Sequence, residues 1–450
     1  MLIEFVANTG FYISHRDRVF VNDLWMSQGA FEGSWYHYPP LGQMRHQPSD
    51  VDYFYVSHIH PDHYDEATLP LLPREAVGVV SAYFNHLLKR NLATRGFSRV
   101  HSLAPGDSMT LEPGLQVHLY GQFINNLFHE AEVGNLIDSA IVIEWDGYVL
   151  LNCNDNYPDL ESARALRKRF PTIDVAFIPH SASGPYPSCF FNLTEQQKIE
   201  AVDRLRRQYL DHFLQVADIL GAKVSIPCAA EYVIAGKQHA KTRTLGTVPA
   251  HEAERYAIQQ RFTASKVVPM SCGTMLDVAT GAVTGVPVKT FTPEDKSAFA
   301  AGLAQVRYPY ESHPWPSDDL HEKVVPSWQH LHRWQEKLNW FHPLRFYLET
   351  RGGYRAMMDF TTETVVPWNG TNPAAPFLKA TLDDQLLLSI LEGRCHWNNA
   401  EGGLHIDYVR SPERYVPEAH VLLSFFHLPK APAAGAPREE AVASLPGRLS

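Results

Sequence analysis

The sequence predicts an α/β protein in which sheets are covered by helices, with a smaller α+β region toward the C-terminal end. Three observations predict it. Residues 1–150 read as short β-branched and aromatic runs separated by turns. Helix-period segments then alternate with fully apolar, strand-like runs. Around Gly273–Ser297 the composition shifts to Gly, Thr and Val and ends in the turn-prone TPEDKS, which marks a boundary. The expected organisation is a domain over 1–280, a region shaping a substrate pocket over 281–428, and a disordered Pro/Ala-rich tail over 429–450.

Each element has its own signal. MLIEFVAN, GFYIS, RVFVNDLW and VDYFYVS are rich in the residues that suit a pleated, half-buried surface. VHLYGQF, SAIVIEW and GYVLLNCN follow, and the last two flank Asp146-Gly147, a dipeptide suited to a tight hairpin. A helix is expected over Glu161–Phe170, and TIDVAFIP after it reads as a fully buried strand. Thr194 and Gln197 have capping-box spacing and open a long helix. Its apolar residues, Ile199, Val202, Leu205, Tyr209, Phe213, Val216 and Leu220, recur at helical spacing. AKVSIPCA is the next strand. Beyond the boundary, SWQHLHRWQEKLNWFHPLRF reads as an amphipathic helix that turns Trp328, Trp334, Trp340 and Phe341 toward a core.

Composition narrows the function classes. With 45% hydrophobic and 20% charged residues the chain can bury a large core. A net charge of −10 speaks against nucleic acid or an anionic membrane surface as partner. MLIEFVANTG lacks a basic n-region, and no run of about 18 apolar residues occurs, so neither a signal peptide nor a membrane span is expected. The five scattered cysteines, without CxxC spacing, fit reduced thiols in a cytoplasm. Cys153 and Cys228, in apolar strands, read as buried thiols. Gly29 and Gly33 read as turn residues, and GxSxG is absent.

The chemistry concentrates in VSHIHPDHYDEATLP, Val56–Pro70, which places three histidines and two aspartates between His58 and Asp65. VDYFYVS is a strand, and His58 and His60 continue its period of two, so both imidazoles lie on one side of the chain. Pro61 stops the strand, and Asp62-His63 turn toward a second position close by, with a helix expected from Asp65. Ligands presented in this way suit two adjacent metal ions.

HxHxDH after an apolar strand resembles the signature of the metallo-β-lactamase superfamily, and the resemblance implies an αββα sandwich with metals at one edge. It further implies Asp155, in VLLNCNDN, as an aspartate bridging two cations. Where that family carries a histidine before the strand SAIVIEW, this chain has Gly134 and Asn135, with His129, Glu130 and Glu132 nearby as replacements. Where it carries a last histidine, IPCAAEY has none, and His180 after DVAFIP is the substitute. Carboxylate in place of imidazole favours harder metals such as iron. Longer stretches, among them DLWMSQGAFEGSWYHYPP, IPHSASGPYP and HWNNAEGGLHIDYVRSPERY, are similar to the CMP-N-acetylneuraminate hydroxylase family. That family also carries a Rieske centre, which needs Cys-x-His and Cys-x-x-His pairs; the chain has neither.

The resemblance therefore implies a hydroxylase-type monooxygenase with two iron ions, acting on a small molecule with O2 and an external electron donor. His58, His60 and one of His129 or Glu130 would bind the first iron; Asp62, His63, Asp155 and His180 would bind the second, with Asp62 and His63 closest to the chemistry. The alternative is a dinuclear zinc hydrolase of an ester, lactone, amide or phosphodiester.

Overall fold

A computed structural model describes residues 1–123, 137–229, 231–314, 320–371 and 373–429. Two large sheets dominate it. The eight-stranded sheet runs, in spatial order, Val283–Gly285, Thr274–Asp277, Leu2–Ala7, Gly10–His15, Arg18–Asn22, Tyr53–Val56, Val77–Ser81 and Val100–Leu103. The seven-stranded sheet runs Lys266–Val267, Val224–Cys228, Val175–Pro179, Tyr148–Asn152, Ala140–Trp145, Leu115–Tyr120 and Ser108–Glu112. Each is antiparallel in one half and parallel in the other; Arg18–Asn22, Tyr53–Val56, Val77–Ser81 and Val100–Leu103 run parallel, as do Tyr148–Asn152, Val175–Pro179, Val224–Cys228 and Lys266–Val267.

Strand alternation decides which side chains lie between the sheets. Ile3, Phe5, Phe11, Ile13 and Phe20 of one sheet pack on Val117, Ile141, Ile143, Phe177 and Ile226 of the other. Phe11 and Phe177 stack with ring centroids 3.8 Å apart and planes 3° from parallel. Val142, between the two inward isoleucines, faces the opposite way. It lies under Phe213, Val216 and Leu220 of the helix Glu195–Leu220. Helix Tyr83–Thr94 covers the other sheet through Leu88 and Leu92, over Val21, Phe54 and Val80. The layers are α, β, β, α.

The local signals explain the elements. Asp146 and Gly147 both take positive φ in the hairpin that pairs Trp145 with Tyr148. Thr194 accepts from the Gln197 amide, and the Gln197 side chain accepts in return from the Thr194 amide. Ile199 is an exception to the predicted apolar stripe: it lies 37% exposed near the start of its helix.

The C-terminal region is α+β. Its five-stranded sheet runs Val365–Pro367, Arg355–Asp359, Arg345–Thr350, Phe377–Leu382 and Asp407–Ser411. Helix Leu320–Leu338 buries Trp328 against Phe346, Phe360 and Phe426. That helix begins before the predicted stretch and ends sooner, because Asn339 takes φ 51° and Pro343 follows; Arg345 and Phe346 belong to the next strand. Trp334 and Trp340 are partly buried on this core, whereas Phe341 is 55% exposed. The helix expected from Asp65 is also absent. Pro70 and Pro73 leave only the 3-10 turn Leu69–Leu71. Asp65 instead accepts from the amides of Met26 and Ser27 and the hydroxyls of Ser27 and Thr68. Residues 430–450 of the expected tail lie outside the described residues. Among the described residues, no helix is long and apolar enough to cross a membrane.

Candidate metal centre

The parallel strands of both sheets end at the same edge, and the ligand run leaves one of them. Tyr53–Val56 is buried throughout. Ser57 then gives its amide and hydroxyl to Asp23, which fixes the strand exit. The strand ends at Val56, earlier than the expected stop at Pro61, and beyond Pro61 the amides of His63 and Tyr64 fold back onto the His60 carbonyl at 3.0 and 2.8 Å. This tight turn returns Asp62 and His63 toward His58.

The side chains converge. His58 Nε2 lies 2.8 Å from His60 Nδ1. His63 Nε2 lies 3.1 Å from Asp155 Oδ2 and 3.4 Å from Asp62 Oδ2. One ligand atom from each of His58, His63 and Asp155 falls within 4.8 Å of the others. Asp155 comes from the other sheet, just beyond Tyr148–Asn152. Its approach is set by Asn154, at φ 55°, whose amide oxygen accepts from both Asn22 and Asn152 and whose nitrogen donates to the Ser139 carbonyl.

The residues fit bound metal. Asp62 Oδ1 and Asp155 Oδ1 are buried without a hydrogen-bond partner among the described residues. Such orphaned carboxylate oxygens are costly unless something positive faces them. Each histidine offers one nitrogen to the cluster while its other nitrogen is engaged: His58 Nδ1 by Ser57, His63 Nδ1 by Asp23 at 2.9 Å, and His60 Nε2 by Asn398. Asn8 donates to Asp62 Oδ2 at 2.6 Å. Burial, with the neighbouring rings of His63 and His60, drives the His58 pKa well below the ordinary histidine value. Burial also lowers that of His60, so both rings are neutral and free to donate a lone pair. Burial alone would raise the Asp62 pKa, but the charge of His63 overrides it and keeps the carboxylate ionised.

Not every predicted residue belongs here. His180 is fully buried with Nδ1 2.9 Å from the Cys228 carbonyl and Nε2 2.8 Å from the Val248 carbonyl. Both nitrogens face backbone, burial pushes its pKa down to about 4, and the structure does not bring it into the cluster. His129, Glu130 and Glu132 lie outside the described residues. Gly29 and Gly33 do take positive φ, 85° and 90°. A Cβ at Gly33 would stand 2.8 Å from Pro309 Cδ. The turn between them sets the Phe31 ring 5.6 Å from that of His60. Cys153 and Cys228 are buried, and burial raises both thiols.

Sequence reasoning missed four polar residues. Asp138, buried just before Ala140–Trp145, places Oδ1 3.4 Å from His58 Nε2. Asp23, Asn8 and Asn398 engage the ligands from behind. Asp138 stands almost where a ligand was sought; the other three carry no local signal.

No protein-family model matches the chain. It is 28% identical to a protein of Mycolicibacterium smegmatis, named as a predicted Rieske 2Fe-2S iron-sulfur protein, over 51% of this chain and 43% of the relative. A protein of Mycobacterium tuberculosis with the same description is 26% identical over 51% of this chain and 43% of its own length. The match thus spans less than half of these relatives. The structure neighbours are metallo-β-lactamase fold proteins and other metal-dependent enzymes. They include Igni18, a metallo hydrolase from Ignicoccus hospitalis (14% identity, 64% of this chain, 99% of the other, TM-score 0.40). Another is CmlA, a diiron β-hydroxylase from Streptomyces venezuelae (16% identity, 63% of this chain, 54% of the other, TM-score 0.42).

Proposed function

We propose that the chain is a metal-dependent oxygenase, a hydroxylase-type monooxygenase that holds two iron ions at the sandwich edge. His58, His60 and Asp138 bind the first ion, with His129, Glu130 or Glu132 available to complete it. Asp62, His63 and Asp155 bind the second. The observation that carries this reading is the donor set: three carboxylates stand beside three imidazoles, and two buried carboxylate oxygens have no hydrogen-bond partner among the described residues. A set this rich in oxygen favours iron over zinc.

Bound iron supplies the one-electron steps that activation of O2 requires. The chain's own residues do the rest. Asp23 and Ser57 fix the rings of His63 and His58 through their Nδ1 atoms, which leaves both Nε2 atoms turned into the ligand cluster. Phe31, whose carbonyl accepts from His405, sets its ring beside His60 as an apolar wall. The substrate is a small molecule. The electron donor is an iron–sulfur partner, a class suggested by the names of the mycobacterial relatives.

The second reading is a zinc hydrolase of an ester, lactone, amide or phosphodiester. It is favoured by the compact group His58, His63 and Asp155, an N, N, O set of the three-ligand kind that catalytic zinc sites use. Elemental analysis after expression with ample iron separates the two. Close to two irons per chain, with ferric absorption appearing when O2 reaches the reduced protein, is expected; two zincs and no iron would replace the oxygenase by the hydrolase. His60→Ala and Asp62→Ala should each lose metal, and full retention in both would remove the site itself.

A further inference from the structure

His60 is gripped from two sides. Its Nδ1 faces His58 Nε2 at 2.8 Å, within the ligand cluster, and its Nε2 faces Asn398 Oδ1 at 2.5 Å. Asn398 is 338 residues away in sequence, buried, and sits in the helix Trp397–Gly402 of the C-terminal region. The end of that helix and the residues just after it are anchored to the sandwich side: Trp35 Nε1 donates to the Gly402 carbonyl at 2.8 Å, and the Phe31 carbonyl accepts from His405 Nε2 at 2.9 Å. Asn398 is thus delivered to His60 by fixed packing.

The contact has a chemical consequence. His58 and His63 have their Nδ1 atoms engaged and turn Nε2 to the cluster. His60 is the reverse and must present Nδ1. A neutral imidazole carries one N–H, and a carbonyl oxygen only accepts, so Asn398 Oδ1 places the proton on Nε2 and frees the Nδ1 lone pair. In water the two tautomers are close in energy, so one buried acceptor decides between them.

We propose that Asn398 is a positioning residue of the metal centre, selecting the His60 tautomer that can bind metal and making the C-terminal region part of that centre. This rests on the metal-centre reading above.

The test uses the full chain, stripped of metal and titrated with cobalt(II), whose affinity is read by chelator competition and whose ligand histidines give shifted, exchangeable N–H proton resonances. In Asn398→Leu, affinity at one of the two positions should fall roughly 10–100-fold while the other stays unchanged, as for loss of a partner behind a ligand. One shifted N–H resonance should vanish. Asn398→Asp, which can only accept, should keep that resonance and most of the affinity. Circular dichroism and thermal melting report folding; if the Leu variant does not fold, the Asp variant decides. Wild-type affinity and resonances in Asn398→Leu would overturn the proposal, as would an Asp variant that loses both, because the amide would then be acting as donor. A wild-type chain that takes up no cobalt would remove the metal-centre reading and this proposal with it.

Discussion

His63 concentrates the electrostatics of the centre in one ring. Burial by itself favours its neutral form, but the carboxylates of Asp62, Asp155 and Asp23 outweigh burial and hold its pKa well above the ordinary value of 6.5. Without metal the ring therefore carries a proton at neutral pH. A metal ion that takes Nε2 must expel it, so affinity rises with pH from the ordinary histidine range up to the folded pKa. The sign for the metal-free fold is the opposite. With a raised pKa, His63 contributes stability that is fully present below about 6.5 and fades as pH climbs through the folded value. Asp62 acts at the acid end: with a lowered pKa, its contribution is present above 3.8 and fades as pH falls through the folded value. Calorimetric titration of the metal-free protein with zinc at neutral pH, in two buffers of different ionisation enthalpy, should show net proton release. A proton-neutral titration would mean that the ring is already deprotonated.

At the scale of the element, the two sheets are joined by interdigitating side chains, and Phe177 lies at the centre of that layer. It is fully buried and stacked on Phe11, so Phe177→Ala should destabilise the fold by about 3–5 kcal/mol, measured by urea unfolding. A loss below about 1 kcal/mol would mean that the sheets close over the gap. The strands were legible because burial on one or both faces writes a period into sequence. HxHxDH was legible for a related reason: its ligands are neighbours in sequence, and a single strand end presents them. Asp155, at the end of an apolar run, was reached only through the family resemblance. His180 has the same local signature as a ligand, a histidine just after a buried strand; only the direction of the Cys228 and Val248 carbonyls distinguishes it. Asp23, Asn8 and Asn398 were invisible because tertiary packing alone brings them to the ligands. The helix expected from Asp65 failed because Pro70 and Pro73 cut it short: Asp65 accepts from the Ala67 amide as a cap would, but only the turn Leu69–Leu71 follows.

At the scale of the whole molecule, one apolar cluster joins Trp35, Tyr186 and Phe190 of the sandwich side to Phe346, Trp397 and Tyr408 of the C-terminal region. Phe190 also forms a backbone bridge with Tyr408. Polar contacts fix the junction. Lys241, almost buried, pairs with Asp407 at 2.6 Å, and Arg351 reaches the other oxygen of the same carboxylate. Asp407→Ala would leave the Lys241 ammonium without its counter-charge, and a loss of about 3 kcal/mol is expected. Asp407→Ala and Lys241→Met together should recover part of it; chemical denaturation of the single and double variants checks the coupling.

The ligand set is split between the two sheets: His58 to His63 hang from one, and Asp155 from the other. An ion bound across that split would act as a rivet at the open rim of a sandwich, resisting shear of one layer over the other. Loading with metal at about 100 times the dissociation constant adds roughly 2.7 kcal/mol against global unfolding. The spatial pattern is more telling than the sum. Amide hydrogen exchange should slow along the rim strands of both sheets together, Tyr53–Val56 and Tyr148–Asn152, while the far ends of the same sheets change little. Slowing confined to one sheet would mean that the ion is held by that layer alone.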